Sequence, residues 1–305
     1  MRVAITGATG FVGRALLQTL IQRGDEVLIL TRRPAAARQV LGETINAVQW
    51  TPKYTPSWGQ QVALCDAVIN LAGEPIFGRR WTAKQKERIL RSRTEAAAGI
   101  IEAIRQADRP PRVLINASAI GYYGPHGDEL LDESSPPGED FLAQVCRAWE
   151  EAVETGQSAG FRIVRIRTGI VLGAEGGALK RMLPAFKMFV GGRFGSGRQW
   201  MSWIHIEDLV RLYLWALDNS MAEGPLNGTA PNPVSNREFS QLLGRVLRRP
   251  SLFPVPAFVA RAIFGEAAQV ILSGQRVLPR RCQELGFAFR FPRLEEALRK
   301  VLRPS

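Results

Sequence analysis

The stretch MRVAITGATGFVGRALLQTLIQRGDEVLILTRR, residues 1–33, decides the fold class. Arg2–Thr6 is a short apolar run rich in β-branched residues, and a glycine-rich turn follows it. An amphipathic segment runs from Phe11 to about Arg23, and a second apolar run covers Glu26–Leu30. Strand, glycine turn, helix and strand make a βαβ unit, whose crossover is right-handed in nearly all proteins. The stretch therefore predicts the first unit of a parallel sheet.

The three glycines of this turn have separate physical roles. In a dinucleotide-binding turn, one glycine permits the tight bend, one lets backbone N–H groups approach a pyrophosphate, and one allows helix and strand to pack closely. The start of the helix also presents unpaired N–H groups and a positive dipole end to the phosphates. The alternative is a turn in a flavodoxin-like domain that binds no dinucleotide. The cofactor contacts predicted here are Gly7, Thr9, Gly10, Phe11, Val12 and Gly13.

The end of the second strand indicates which dinucleotide is bound. NAD-binding proteins place Asp or Glu there, where the carboxylate accepts hydrogen bonds from the ribose 2′-hydroxyl. This chain has Thr31, Arg32 and Arg33 instead. Because a guanidinium group can hold a 2′-phosphate through two hydrogen bonds, these residues predict NADP(H) as the cofactor. A solvated basic corner is the alternative explanation.

Strands and helices alternate along the rest of the first two thirds of the chain. Strands are predicted at residues 47–50, 65–73, 113–118 and 161–167, and a long helix capped by Thr82 at residues 82–107. This alternation is typical of an α/β fold with a Rossmann-like, doubly wound parallel sheet. The helical, basic sequence after residue 252 predicts a smaller, mostly helical C-terminal substrate domain. We assign residues 1–168 and 205–232 to the Rossmann domain, and residues 169–204 and 233–305 to the smaller domain.

Composition limits the classes to which the protein can belong. The 305 residues are 46% hydrophobic, which is enough for a large core. Three cysteines without CxxC spacing and two histidines predict a reducing compartment, no disulfide framework and no metal site. Neither a signal peptide nor a transmembrane run is recognisable in the sequence. We therefore expect a cytoplasmic protein.

The net charge of +12 is concentrated after residue 150, where 22 Lys and Arg oppose 12 Asp and Glu. Such a charge suits an anionic ligand, a phosphorylated cofactor or peripheral contact with an anionic membrane. The sequence lacks the motifs of nucleic-acid-binding domains, so nucleic acid is not an expected partner. The expected partner is a small-molecule substrate.

Several motifs together resemble a known family. Their order matches that of the extended short-chain dehydrogenase/reductases, the NAD(P)-dependent epimerase/dehydratase enzymes; they are Gly7-x-x-Gly10-x-x-Gly13, Asn70–Gly73, Ser118–Gly124, Arg167–Gly173 and Trp203–Asp208. The chain is most similar to a branch described only as epimerase family proteins, some cyanobacterial and plastid members of which are labelled cell-division factors. The features shared with this branch are Asn70–Glu74, Phe141-Leu142, Trp149-Glu150 and a C-terminal domain of unknown function at about residues 254–302.

Further cofactor contacts are expected beyond the first βαβ unit. The small residues after the fourth strand would let the backbone approach the ribose and adenine, and two arginines could reach a phosphate. For these arginines, Arg93 and Arg167, surface ion pairing is the alternative. His205 opens a helix and is interpreted as a structural capping residue. The contacts added to the predicted set are Leu71, Ala72, Gly73, Arg93, Ser118, Arg167 and Val171.

The chain departs from the family at the catalytic pair. Ordinary members use Tyr-x-x-x-Lys, in which Lys lowers the pKa of Tyr and holds the ribose while Tyr exchanges the substrate proton. Setting Glu150 on the family's helix acid places Leu142 at the Tyr position and Cys146 at the Lys position. An alternative alignment makes Arg147 the ribose-holding cation. The residues that remain as proton donors are Ser118, Tyr122 and Tyr123, unless hydride transfer runs without a donor. The alternative for each of the three is a packed residue near the nicotinamide.

Two functions fit these observations. The first is an NADP(H)-dependent oxidoreductase or epimerase that acts on a small substrate with a non-standard proton donor. The second is a non-catalytic regulatory protein that senses NADP(H) and acts on cell division or at a membrane surface. The cofactor site suits both functions.

Overall fold

The computed structural model describes residues 1–156 and 160–302. The strands in these ranges are β1 (Arg2–Thr6), β2 (Glu26–Thr31), β3 (Asn46–Gln49), β4 (Ala67–Asn70), β5 (Val113–Ala119), β6 (Leu130–Leu131), β7 (Arg162–Thr168), β8 (Ile170–Leu172), β9 (Trp200–Met201), β10 (Trp203–His205), β11 (Gly224–Gly228), β12 (Val234–Ser235) and β13 (Arg276–Val277). The α-helices are α1 (Phe11–Gln22), α2 (Pro34–Leu41), α3 (Pro56–Ala63), α4 (Ala83–Arg105), α5 (Phe141–Glu154), α6 (Gly177–Lys187), α7 (Ile206–Asp218), α8 (Asn236–Leu247), α9 (Ala257–Phe264), α10 (Gln269–Leu272), α11 (Arg280–Glu284) and α12 (Leu294–Leu302).

Seven parallel strands form the central sheet, in the order β11-β7-β5-β4-β1-β2-β3. Thr6 at the end of β1 lies level with Leu30 of β2 on one side and with Asn70 of β4 on the other. Because the chain order reverses across β1 and β4, a crevice opens at their carboxyl ends, which is where doubly wound sheets bind ligands. The predicted Rossmann-like parallel sheet is confirmed.

Local sequence signals explain how these elements begin and end. Val3 and Ile5 have no exposed surface, since β1 is covered on both faces and is therefore apolar throughout. The α4 helix begins after Thr82, whose hydroxyl accepts a hydrogen bond from the Gln85 backbone N–H at 3.2 Å. Between α1 and β2, the positive φ of +84° at Gly24 allows the chain to reverse into the sheet.

Helices cover both faces of the sheet. Leu16 of α1 and Leu212 of α7 are buried against one face, and Trp58 of α3 and Ile100 of α4 against the other. Burying an aliphatic or aromatic side chain of this size stabilises a fold by about 1.5–3 kcal/mol. These two cores hold the carboxyl ends of the strands in a fixed arrangement, and the candidate site is built on those ends.

A separate apolar core lies beside the sheet. It joins β8, α6, α8 and α12 through Leu172, Leu179, Phe239 and Leu298. The C-terminal part is mostly helical, as predicted, with one short strand, β13, paired to β6. The elements β8, α6, α8, α12 and β13 fall within the ranges assigned to the smaller domain, whereas β6 lies in the range assigned to the Rossmann domain; the division of the chain stays a prediction. Residues 303–305 of that assignment lie outside the described residues.

Two general features of the described part of the chain bear on function. None of its helices is both long and apolar enough to cross a bilayer. No three of its His, Cys, Asp or Glu side chains are grouped so that they could hold a metal ion. Cys65, Cys146 and Cys282 are buried free thiols, so they pack as small apolar groups.

Candidate functional site

In the turn between β1 and α1, each glycine is required for a different structural reason. Gly7 has a φ of +69°, and a side chain there would meet the Leu71 carbonyl oxygen at 2.7 Å. A side chain at Gly13 would collide with the Gly7 backbone, so Gly13 permits close packing of helix and strand. Gly10 has an ordinary φ of −74°, and a Cβ there would have one neighbour, the Gly7 oxygen at 3.2 Å. Gly10 therefore keeps space free rather than relieving strain.

This free space faces the start of α1. Gly10 is the N-cap of the helix and offers no side chain to its first N–H groups, and the first turn contains no acid. These N–H groups and the helix dipole can therefore receive an anion. The turn forms one wall of a cleft of about 870 Å³, whose other walls are the end of β2, the loop after β4 and one face of α4. A cleft of this volume can hold a dinucleotide.

The residues after β2 line the same cleft. The Arg33 backbone N–H donates to the Thr31 hydroxyl at 3.3 Å, which shapes the turn. Arg32 and Arg33 are exposed, and neither guanidinium forms an ion pair with any residue that the structure describes. Two free cations at the edge of a cleft can bind a phosphate group. Thr9, Leu71, Ala72 and Gly73 from the predicted set also line this cleft.

Sequence reasoning missed further cations in the cleft. Arg79 from the loop before α4, and Lys84 and Arg88 from the helix itself, line it opposite the β2 turn. Lys84 and Arg88 are spaced i, i+4, and that spacing places two side chains on one helix face. The i, i+4 spacing of Lys84 and Arg88 was the sequence signal from which these two cations could have been predicted. It could be recognised as part of the site only after the helix face towards the sheet was known.

A hydrogen-bonded turn holds the loop after β4. The Thr6 hydroxyl donates to Asn70 Oδ1 at 2.7 Å and accepts from the backbone N–H groups of Leu71 and Ala72, each at 3.1 Å. Asn70 Nδ2 in turn donates to Asn116 Oδ1 of β5 at 2.7 Å. These bonds connect the ends of three neighbouring strands. The loop backbone is thus fixed along the floor of the cleft.

A buried polar network lies where β5 and β7 end. Arg167 donates from Nε and Nη2 to the two carboxylate oxygens of Glu150, each at 2.9 Å, and Ser118 donates its hydroxyl proton to the same carboxylate at 2.6 Å. Burial opposes the charge of Arg167, but the hydrogen bonds and the charge of Glu150 outweigh it and raise the pKa of Arg167. Its remaining nitrogen donates to the Tyr123 hydroxyl at 3.0 Å. Arg167 is therefore a buried ion-pair partner of Glu150, and its predicted contact with the cofactor stays a prediction.

The two tyrosines after β5 have different environments. Tyr123 has no exposed surface, and its hydroxyl donates to Asn227 Oδ1 at 2.7 Å while accepting from Arg167. Burial raises the pKa of Tyr123. Both observations make Tyr123 a member of this buried network, and its predicted role as a proton donor stays a prediction. Tyr122 is half-buried with its ring 3.4 Å from Arg167 Cζ, and its hydroxyl has no hydrogen-bond partner among the described residues.

The α5 helix presents no catalytic pair to the sheet. Leu142 and Cys146 both face Gly121. Their Cβ and Sγ atoms lie 3.4 Å and 3.7 Å from the position that a Cβ at Gly121 would take. Burial raises the pKa of the Cys146 thiol to about 12, so the group is neutral at physiological pH. Arg147 points into solvent, more than half exposed, and pairs with Glu151 at 3.5 Å. The alternative alignment, in which Arg147 holds the ribose, does not agree with this geometry.

Arg93 of α4 lies beside Gly73 but is not among the residues that line the cleft. Its guanidinium donates to the carbonyl oxygens of Glu74 and Ile89 at 3.0 Å and 2.9 Å, and it stacks over the Trp149 ring at 5.1 Å. It lies 3.1 Å from a Cβ built at Gly73, on the loop that lines the cleft. Within the described ranges Arg93 pairs with no carboxylate, so the surface ion pair considered for it is not formed.

Phe11, Val12 and Val171 from the predicted set do not line this cleft. Phe11 lies under the loop after β8, where its ring excludes side chains from Gly173 and Gly176. Val12 and Val171 are partly buried against the core under the sheet. His205 caps α7, as expected, because its Nδ1 accepts from the Glu207 N–H at 3.1 Å.

A parallel sheet with this strand order, a glycine turn and an open helix start at its switch point defines the class of Rossmann-type dinucleotide-binding folds. The chain belongs to the NAD-dependent epimerase/dehydratase family, because the sequence model of that family matches residues 3–227. Residues 255–301 match a domain of unknown function, DUF1731. The family resemblance read from the motifs is thus confirmed, including its C-terminal domain.

Relatives with known names span almost the whole chain. The epimerase family protein SDR39U1 homolog, chloroplastic, of Arabidopsis thaliana is 44% identical over 99% of this chain and 87% of its own length. The epimerase family protein YfhF of Bacillus subtilis is 39% identical over 99% of this chain and 98% of its own. The crystal structure of human epimerase family protein SDR39U1 (isoform 2) with NADPH is similar with a TM-score of 0.90, at 36% identity and full coverage of both chains.

Proposed function

We propose that this protein is an NADP(H)-dependent oxidoreductase or epimerase of the short-chain dehydrogenase/reductase type, acting on a small substrate without a Tyr-Lys pair. The observation that carries the proposal is the cleft itself, in which Gly10 keeps space free at the start of α1 and unpaired arginines stand at the end of β2. The crystallisation of the human relative with NADPH supports the choice of cofactor.

The residues present fit each part of the dinucleotide. The N–H groups at the start of α1 and the space at Gly10 suit the pyrophosphate. Thr31, Arg32 and Arg33 suit a 2′-phosphate, because they offer a hydroxyl and two unpaired guanidinium groups; the carboxylates that line the cleft belong to the loop after β4 and to α4, not to this turn. Arg93, beside Gly73, suits the ribose next to the reacting ring.

Replacing Arg93 tests the last assignment. We expect Arg93→Met to weaken NADPH binding by about tenfold or more, because one hydrogen bond to a charged group contributes about 1.5–3 kcal/mol. Arg147→Ala and Cys146→Ala should stay within about threefold of the wild type, since one side chain is in solvent and the other is a neutral thiol. Fluorescence titration with NADPH measures all three, and thermal unfolding checks that each variant is folded. A strong effect in Arg147→Ala with none in Arg93→Met would reverse the assignment.

The chemistry follows from which hydroxyl can release a proton. NADPH, when bound, supplies a hydride to a carbonyl carbon. Tyr122 donates its proton to the carbonyl oxygen, so the product is an alcohol, and the phenolate regains a proton from water. Ser118 is a weaker donor because its proton is directed at Glu150, and Tyr123 is held by Asn227. The half-buried Tyr122 is therefore the proposed donor.

The test of this function is the oxidation of bound NADPH by carbonyl compounds. We expect a slow loss of absorbance from the NADPH complex with the wild type, and at least a tenfold lower rate with Tyr122→Phe, which keeps the ring over Arg167 but removes the proton. Cys146→Ala should retain the rate. Equal rates for Tyr122→Phe and the wild type would exclude Tyr122 as the donor, and a complete absence of turnover across carbonyl classes would contradict the enzymatic function.

A further inference from the structure

A second cavity, of about 380 Å³, lies between α6 and the C-terminal part of the chain. Its walls are formed largely by apolar side chains, including Phe77, Met182, Phe186, Phe194, Met201 and Val255. Cavities of this size bury most of the surface of a small organic ligand.

The few polar side chains in this cavity are already engaged by the protein. Asn236 Oδ1 accepts from the Phe194 N–H at 2.8 Å, and the Ser273 hydroxyl donates to the Gln269 carbonyl at 2.6 Å. The indole N–H of Trp200 donates at 2.7 Å to a carboxylate that does not line the cavity. Asn236 Nδ2 donates to Met201 Sδ at 3.2 Å, so each of these side chains has its donor engaged within the protein.

Charge is confined to the rim. Among the described residues that line the cavity, the one charged side chain is Arg181, which is exposed and extends over the Phe77 ring at 5.5 Å. A diphosphate carries at least two negative charges, and removing them from water without opposing cations or donors is strongly unfavourable. The interior of this cavity therefore disfavours a nucleoside diphosphate.

The cavity adjoins the proposed cofactor cleft. Gly177 lines the cavity, and a Cβ at that residue would lie 3.2 Å from the ring of Phe11, the first residue of α1. Phe77 lines it from the loop after β4, a few residues beyond Gly73 and Pro75, which line the cleft. A molecule in the cavity is thus separated from the start of α1 by one layer of side chains.

We propose that this cavity binds the apolar body of an uncharged substrate, such as a hydrophobic ketone or alcohol, and not a nucleoside diphosphate sugar. The reaction assigned to this substrate rests on the proposed function. The class of substrate rests on the apolar walls of the cavity. Removing apolar ligand surface from water provides the binding free energy. Because the polar side chains are already hydrogen-bonded within the protein, few hydrogen-bonding groups remain to recognise a sugar.

The test uses the neutral fluorescent probe N-phenyl-1-naphthylamine with the full chain and saturating NADPH. We expect micromolar binding to the wild type and at least tenfold weaker binding to Ala185→Phe, because the larger ring fills the cavity from α6. Lys187→Phe is the matched control, since it adds the same ring to the same helix at an exposed position that does not line the cavity. Millimolar UDP-glucose should not displace the probe.

NADPH affinity measured in the same samples separates this inference from the proposed function. Normal NADPH binding in Ala185→Phe together with loss of the probe supports the inference. Displacement of the probe by UDP-glucose, no probe binding to the wild type, or equal binding to Ala185→Phe and Lys187→Phe overturns it while NADPH binding stands. A wild type that does not bind NADPH contradicts the proposed function itself.

Discussion

Replacing Glu150 with alanine is expected to lower the free energy of unfolding by about 3–5 kcal/mol, the range for removing one partner of a buried ion pair. Glu150 and Arg167 are each 3% exposed, so the truncation leaves a guanidinium without its two carboxylate acceptors and without water. Arg165 lies 4.0 Å from the same carboxylate but pairs with Glu154, so its own charge stays balanced when Glu150 is removed. Urea unfolding measures the loss, and a loss below about 1 kcal/mol would show that the pair is not what holds β7 to α5.

Glu151→Ala is the matched control for this prediction. Glu151 is the neighbouring residue on α5, it pairs with an arginine as Glu150 does, and both partners are more than half exposed. Exposed pairs of this kind contribute about 0–1 kcal/mol, so the control should unfold at nearly the wild-type urea concentration. The double variant Glu150→Leu/Arg167→Met adds a second check. It should be more stable than Glu150→Ala, because it removes the buried charge together with its partner.

Gly10→Val is expected to weaken NADPH binding by at least ~100-fold, equivalent to ~2.7 kcal/mol, while the protein stays folded. A side chain at Gly10 meets almost no protein atom, and its backbone angles are open to valine, so the fold has no reason to change. The same side chain would occupy the space in which a pyrophosphate approaches the start of α1. Fluorescence titration gives the affinity, and unchanged thermal unfolding shows that the fold is intact.

Gly127→Val controls for the substitution itself. Gly127 also has open space around its Cβ position and a φ outside the left-handed region, but it lies in a loop away from the cleft. The Gly127→Val variant should bind NADPH with the affinity of the wild type. If the folded Gly10→Val variant bound NADPH normally, the pyrophosphate of the cofactor would not bind at the start of α1.

The sequence was informative where structure depends on local patterns. The βαβ unit of residues 1–33, the strands of the sheet and the cap at Thr82 follow from hydrophobic periodicity, turn residues and side-chain capping, all of which act over a few residues. The small C-terminal strand β13 could not be predicted, because it exists only through pairing with β6, more than a hundred residues earlier.

The site was predicted less completely because its geometry depends on contacts between distant elements. Glu150 and Arg167 lie 17 residues apart on a helix and a strand, and nothing in the local pattern around either shows that they pair. Tyr122 and Tyr123 are neighbours in sequence, yet one is half-buried and the other fully enclosed. In the same way, nothing in the local pattern around Arg93 on α4 shows that its guanidinium lies beside Gly73, twenty residues earlier in the chain.

We propose that the basic end of β2 selects NADP(H), and parallel titration of the wild type with NADPH and NADH at one ionic strength tests this selection most directly. We predict at least ~10-fold tighter binding of NADPH, a difference of ~1.4 kcal/mol. The Arg32→Ala/Arg33→Ala double variant should lose this preference, whereas Arg109→Ala, which removes an exposed charge before β5, should keep it. Equal affinities of the wild type for the two cofactors, or tighter binding of NADH, would contradict the account.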